Sequence, residues 1–124
     1  MCSCPREIHS IIIAMKKRQP LWNEVEAAVL LDAYLLVIEH PYKRSFYIEQ
    51  VSEQLRQMAI NQGIEIDDIY RDIAGITFQM RRMEAAWTGK PAGAFSSTKL
   101  FDRIVELFKT NRTKFSDLLK KSHL

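Results

Sequence analysis

Trp22-Asn23-Glu24-Val25-Glu26-Ala27-Ala28-Val29-Leu30-Leu31-Asp32-Ala33-Tyr34-Leu35-Leu36-Val37-Ile38-Glu39 is the stretch on which the fold turns. Asn23 followed three residues later by Glu26 has the cap spacing that opens a helix, and Glu24 and Glu26 set negative charge against the positive end of its dipole. A helix over about 24–39 is expected. Its apolar residues Val25, Ala28, Val29, Leu31, Leu35, Leu36 and Ile38 spread over more than half of the circumference, so several other helices must pack on it. It is expected to be the central core element.

His40 and Pro41 close that helix, and Ser45 is expected to cap a second over about 46–61, whose Ile48, Val51, Leu55, Met58 and Ala59 recur at the three-and-four spacing of one buried face. Gly63 suits a helix end. Asp67 or Asp68 is then expected to cap a short third helix carrying Ile69, Tyr70 and Arg71, before Gly75 breaks the chain. From Ile76 to Trp87 the stripe Ile76, Met80, Met83, Trp87 predicts a fourth helix whose outer side holds Thr77, Gln79, Arg81, Arg82 and Glu84. Residues 89–97 read as a loop. Ser97 is expected to cap a fifth helix with Leu100, Phe101, Ile104, Val105 and Phe108 in the core, and Asn111 to Leu119 reads as a last short helix. No stretch alternates like a strand, and Ile64-Glu65-Ile66 is at most a bridge. The expected fold is all-α: a compact orthogonal bundle of about five to six helices with a helix-turn-helix-like core.

Upstream, Pro5 to Arg18 reads either as a short helix with Ile8, Ile11, Ile12 and Met15 on one side, or as a prefix before a start at Met15. Residues 1–21 are therefore an N-terminal extension and 22–124 a single helical domain. The length of 124 residues suits one core, and 47% hydrophobic with 27% charged residues excludes a disordered or fibrous chain. The apolar run Ala27 to Ile38 contains Asp32 and falls short of the roughly 20 residues a membrane span needs. Around Ile11 to Met15 the basic run Lys16, Lys17, Arg18 stands on the C-terminal side, the wrong order for a secretory signal. Cys2 and Cys4, two positions apart, cannot staple a core, so free thiols and a cytoplasmic location are expected.

Catalytic and metal chemistry find little support in the residue pattern. His9, His40 and His123 are joined by spacing to no nucleophile or second ligand. Cys2, Cys4 and His9 would lack a fourth metal ligand. The acidic group Glu65, Asp67, Asp68, Asp72 lacks the ligand order and turn glycine of a calcium loop. No catalytic residue, metal or cofactor is expected. The net charge of +3 is unevenly spread: segments 1–22, 23–39, 40–62, 63–75, 76–90 and 91–124 carry +3, −4, +1, −3, +2 and +4. The basic segments would suit a phosphate backbone.

The order of elements, with a tryptophan before a capped acidic helix and arginines on a later one, resembles a Myb-type helix-turn-helix arrangement. More narrowly, Trp22-Asn23-Glu24-Val25-Glu26 with Leu30-Leu31-Asp32-Ala33-Tyr34-Leu35, then Val51-Ser52-Glu53-Gln54-Leu55-Arg56, then Ile69-Tyr70-Arg71-Asp72-Ile73-Ala74-Gly75-Ile76 with Gln79-Met80, resemble the helical module that precedes HNH nuclease domains in bacterial restriction-type proteins. The likeness covers about Trp22 to Leu119. Where that family reads aromatic-Arg-Asn, then Asn-Gly and an aliphatic residue, this chain has Asp72 and Ala74 in place of the two asparagines. No HNH motif is among these residues, so nuclease activity does not carry over. The resemblance implies a DNA-associated or nuclease-coupling accessory module of bacterial or phage defence.

Double-stranded DNA is accordingly the expected partner, with Thr77, Gln79, Arg81 and Arg82 facing the duplex and Lys99 and Arg103 meeting phosphate. The alternative is a protein-interaction domain, with a nuclease or other protein as partner, or a homodimer. That reading rests on the girth of the first helix and on Phe46, Tyr47 and Phe95 as exposed anchors.

Overall fold

The computed structural model describes residues 19–123. The expected helix at Pro5–Arg18 and the Cys2, Cys4, His9 group lie outside the described residues. Those described form five α-helices and one 3-10 turn: α1 (Glu24–Glu39), the 3-10 turn Pro41–Lys43, α2 (Arg44–Asn61), α3 (Ile73–Thr88), α4 (Lys99–Thr110) and α5 (Arg112–Lys121). No strand occurs among them; a lone bridge joins Ala92 and Phe95, and Ile64–Ile66, read as at most a bridge, forms none. The described residues form an all-helical bundle.

Helix α1 begins as its sequence dictates. The Asn23 side chain accepts from the Glu26 N–H at 2.9 Å, and the Glu26 carboxylate accepts from the Asn23 N–H at 3.1 Å, the reciprocal box that satisfies two orphan donors. The helix touches each of the other four, which is why its apolar residues show no single face: Ala27, Ala28, Leu30 and Leu31 have no exposed surface. Around it pack Leu55 of α2, Ile76, Met80 and Met83 of α3, and Phe101 and Ile104 of α4, all essentially fully buried. Phe115 anchors α5.

Helix starts depart from expectation in three places. Ser45 caps nothing, because the chain is already helical from Pro41 and the Arg44 N–H donates to the Pro41 carbonyl. Thr98, not Ser97, caps α4, accepting from the Phe101 N–H at 3.0 Å. Gly75 does not break the chain: α3 opens at Ile73, with Asp72 as its cap accepting from the Gly75 N–H at 2.8 Å.

The short third helix is absent; residues 67–71 form a turn. The Asp67 carboxylate accepts the Tyr70 N–H at 2.8 Å, and Arg71 sits in the left-handed region at φ 47°, where a right-handed helix cannot continue. Carbonyls of the turn bond outside it. Ser52 donates to the Arg71 carbonyl at 2.7 Å, and Arg56 donates to those of Asp67 and Tyr70. The expectation of a short third helix is therefore corrected: α2 and α3 are joined by a pinned turn.

Arg71 is the pin. Its Nε donates to Glu26 Oε2 at 2.8 Å and one Nη to Oε1 at 3.0 Å, with both side chains 4% exposed. The same guanidinium donates to the Pro20 and Leu21 carbonyls and lies between the Trp22 and Tyr70 rings, 5.0 and 4.6 Å from their centroids. A buried ion pair of this kind is tolerable because both carboxylate oxygens are hydrogen-bonded and the guanidinium finds further acceptors in two carbonyls.

Candidate nucleic-acid interface

Helix α3 offers the side opposite its core stripe Ile76, Met80 and Met83. Expected on that side, facing a duplex, were Thr77, Gln79, Arg81 and Arg82. Thr77 is exposed, but its hydroxyl donates back to the Ile73 carbonyl at 2.7 Å. Gln79, Arg81 and Arg82 are only half exposed.

The cover comes from the loop after Gly89, which ends α3 in the left-handed conformation at φ 77°. Mutual hydrogen bonds between Ala92 and Phe95, 2.9 and 3.0 Å, tighten this loop. It lays the Phe95 ring against Phe78, centroids 4.9 Å apart and nearly perpendicular. A Cβ at Gly93 would stand 3.5 Å from an Arg81 Nη, so the backbone there runs close over that side chain. The Arg81 guanidinium lies 5.6 Å from the Phe95 centroid and that of Arg82 lies 5.1 Å from the Phe78 centroid. The structure thus brings Arg81 and Arg82 together with two rings.

Carboxylates do little to neutralise this pair. Arg81 Nε is 3.8 Å from Glu84 Oε1, an oxygen that Arg44 approaches at the same distance. Arg82 has no carboxylate within 4.0 Å among the described residues, and the Nε atoms of both Arg81 and Arg82 are buried without a hydrogen-bond partner. Orientation by an aromatic face leaves the positive charge available to an outside anion.

Lys99 and Arg103 belong elsewhere. Lys99 is exposed in the first turn of α4. Arg103 reaches Glu24 at 3.5 Å across an exposed pair and lines a groove of about 530 Å³ between α4 and α5. There Arg103, Lys114 and Lys121 face Glu24, Glu106 and Asp117. That groove is close to neutral and does not form a phosphate track.

Sequence reasoning passed over a second cluster of the same build. Lys109 Nζ lies 4.8 Å from the Trp87 centroid and the Arg112 guanidinium 3.8 Å from that of Phe108, with Trp87 and Phe115 packed edgewise on Phe108. A readable signal exists for the first cluster: Phe78 and Arg82 are an aromatic–arginine pair at i, i+4 within one helix, the spacing that places side chains over one another, whereas Phe108 and Arg112 stand on either side of the break at Asn111.

Over the described chain the charges divide sharply. Residues 19–75 hold ten acidic and four basic side chains, and residues 76–123 hold ten basic and four acidic. Among the described residues no group of three His, Cys, Asp or Glu side chains could hold a metal ion, and no helix is long and apolar enough to cross a membrane. No protein family, curated protein or solved structure matches the chain.

Proposed function

We propose that this chain is a non-catalytic, DNA-associated accessory module that meets phosphate with the basic side chains of α3, α4 and α5. The observation that carries the reading is the charge division at residue 75 within residues 19–123, with Arg82, Lys109 and Arg112 held on aromatic rings instead of being cancelled by acids. The likeness of residues 22–119 to the module preceding HNH nuclease domains supports the same reading and suggests a role in bacterial or phage restriction.

Binding of a labelled DNA oligonucleotide at low ionic strength tests it. Affinity should fall steeply with salt, and Lys109→Ala with Arg112→Ala should make the slope of log K against log salt shallower by about 2, roughly one unit per lost phosphate contact. Absence of binding to any DNA at low salt would overturn the proposal, as would a double variant with unchanged affinity and slope.

A second reading has its own observation. Leu36, Ile38, Tyr42 and Phe46 are exposed near the α1–α2 junction, Tyr42 by 80%. Such a surface suits a protein partner or a second copy of the chain. Of the anchors expected for it, Phe46 is exposed, while Tyr47 and Phe95 are half-buried against Phe46 and Phe78. Sedimentation that stays monomeric at high concentration argues against self-association.

A further inference from the structure

Helix α3 has the wrong form for entering a DNA groove, and the misfit narrows the partner; the inference rests on the DNA reading above. The loop carrying Gly93 and Phe95 lies across its outer side, where a groove-seated helix needs open flanks. Helices that read a groove lead with their N-terminal residues. Here that end follows Asp67, Asp68 and the cap Asp72, so flanking phosphates would meet three carboxylates. The large exposed side chains nearby are Ile69, Ile73 and Phe78, which offer no donor to a base edge.

What the surface does offer is a cluster of two rings and two guanidinium groups. Arg82 lies over the Phe78 ring, Phe78 meets Phe95 edgewise, and Arg81 lies over Phe95, while Phe78 keeps 45% of its surface open. An unpaired base stacks on an aromatic ring or on a guanidinium plane, and its phosphate meets the charge that no acid cancels. A duplex hides those base faces. We propose that the Phe78–Arg82 face of α3 binds unpaired bases of single-stranded DNA, in preference to the groove of a duplex.

Fluorescence anisotropy with a labelled 20-nucleotide single strand and with its blunt duplex, at equal ionic strength, tests this. The single strand is expected to bind several-fold tighter. Phe78→Ala should weaken single-strand binding roughly tenfold, the size of one lost base stack, and duplex binding by clearly less, while Phe78→Trp retains affinity and shows tryptophan quenching on binding. Phe78 is half exposed, so circular dichroism should show Phe78→Ala folded. Tighter binding of the duplex, or a Phe78→Ala variant that binds the single strand as well as the parent, overturns this inference and leaves the DNA reading standing. Failure to bind either probe overturns both.

Discussion

At the scale of single residues, Arg71 matters most and was least legible. The sequence assigned it to a short helix, yet its role depends on Glu26, 45 positions away, on two carbonyls upstream and on rings from two segments. No local pattern announces such a partner set. Removing the arginine leaves Glu26 buried without its counter-charge, a loss of about 3–5 kcal/mol. Arg71→Ala should therefore lower the urea-unfolding free energy by about that amount, and Arg71→Lys should recover only part, because an ammonium cannot serve both carboxylate oxygens and two carbonyls in one plane. Glu26→Gln combined with Arg71→Met should cost less than Arg71→Ala alone, since no buried charge is stranded. Equal losses in the single and double variants would show that the pin works by packing, not by charge.

Elements were read well where the signal was local and poorly where it was shared. The box at Asn23 and Glu26, the all-round burial of α1 and a last short helix beginning near Asn111 were readable from local pattern. The start of α3 did not, because Gly75 looked like a breaker, whereas a glycine in the first turn of a helix is tolerated when a side chain caps that turn. Asp72 supplies the cap, and an asparagine there would do the same, so the departure from the resembled family at this position keeps the physics. A Cβ on Gly75 would stand 3.0 Å from Asp72 Oδ1, so the capping carboxylate would have to give way slightly. This predicts an effect that changes sign. Gly75→Ala should be neutral or destabilising by up to about 1 kcal/mol in the parent, and stabilising by about 1 kcal/mol when Asp72→Ala has already removed the cap. Thermal or urea unfolding of the four proteins closes the double-mutant cycle. Additive effects would mean that Asp72 does not hold the first turn.

For the whole molecule, the composition gave the charge division but not what the charges touch. The arginines of α3 were expected on its outer side, facing a duplex; they lie on rings, Arg82 on Phe78 of the same helix and Arg81 on Phe95, which comes from a stretch that the sequence marked only as a loop. Tyr34 shows the same limit inside the decisive stretch itself: its place on α1 was readable, its neighbours from two other helices were not. Burial raises the Tyr34 phenol above its ordinary value, the Glu84 carboxylate raises it further, and Arg44 pulls the other way. Tyr70 is raised too, first by burial and then by the Glu26 charge. A phenol held protonated in the folded state beyond its ordinary pKa of about 10 contributes stability in full below that value, and the contribution is lost as pH rises through the higher folded-state value. The melting temperature of the parent should therefore fall from about pH 10 upward. Tyr34→Phe has no proton to lose, so its curve should start within about 1 kcal/mol of the parent at neutral pH and decline less steeply above pH 10, with Tyr70 accounting for part of the fall that remains. Because lysines titrate in the same range, the informative quantity is the difference between the two curves. If they stay parallel to pH 11, the Tyr34 hydroxyl is in contact with water, and the junction of α1, α2 and α3 around Glu84 is open where the structure has it closed.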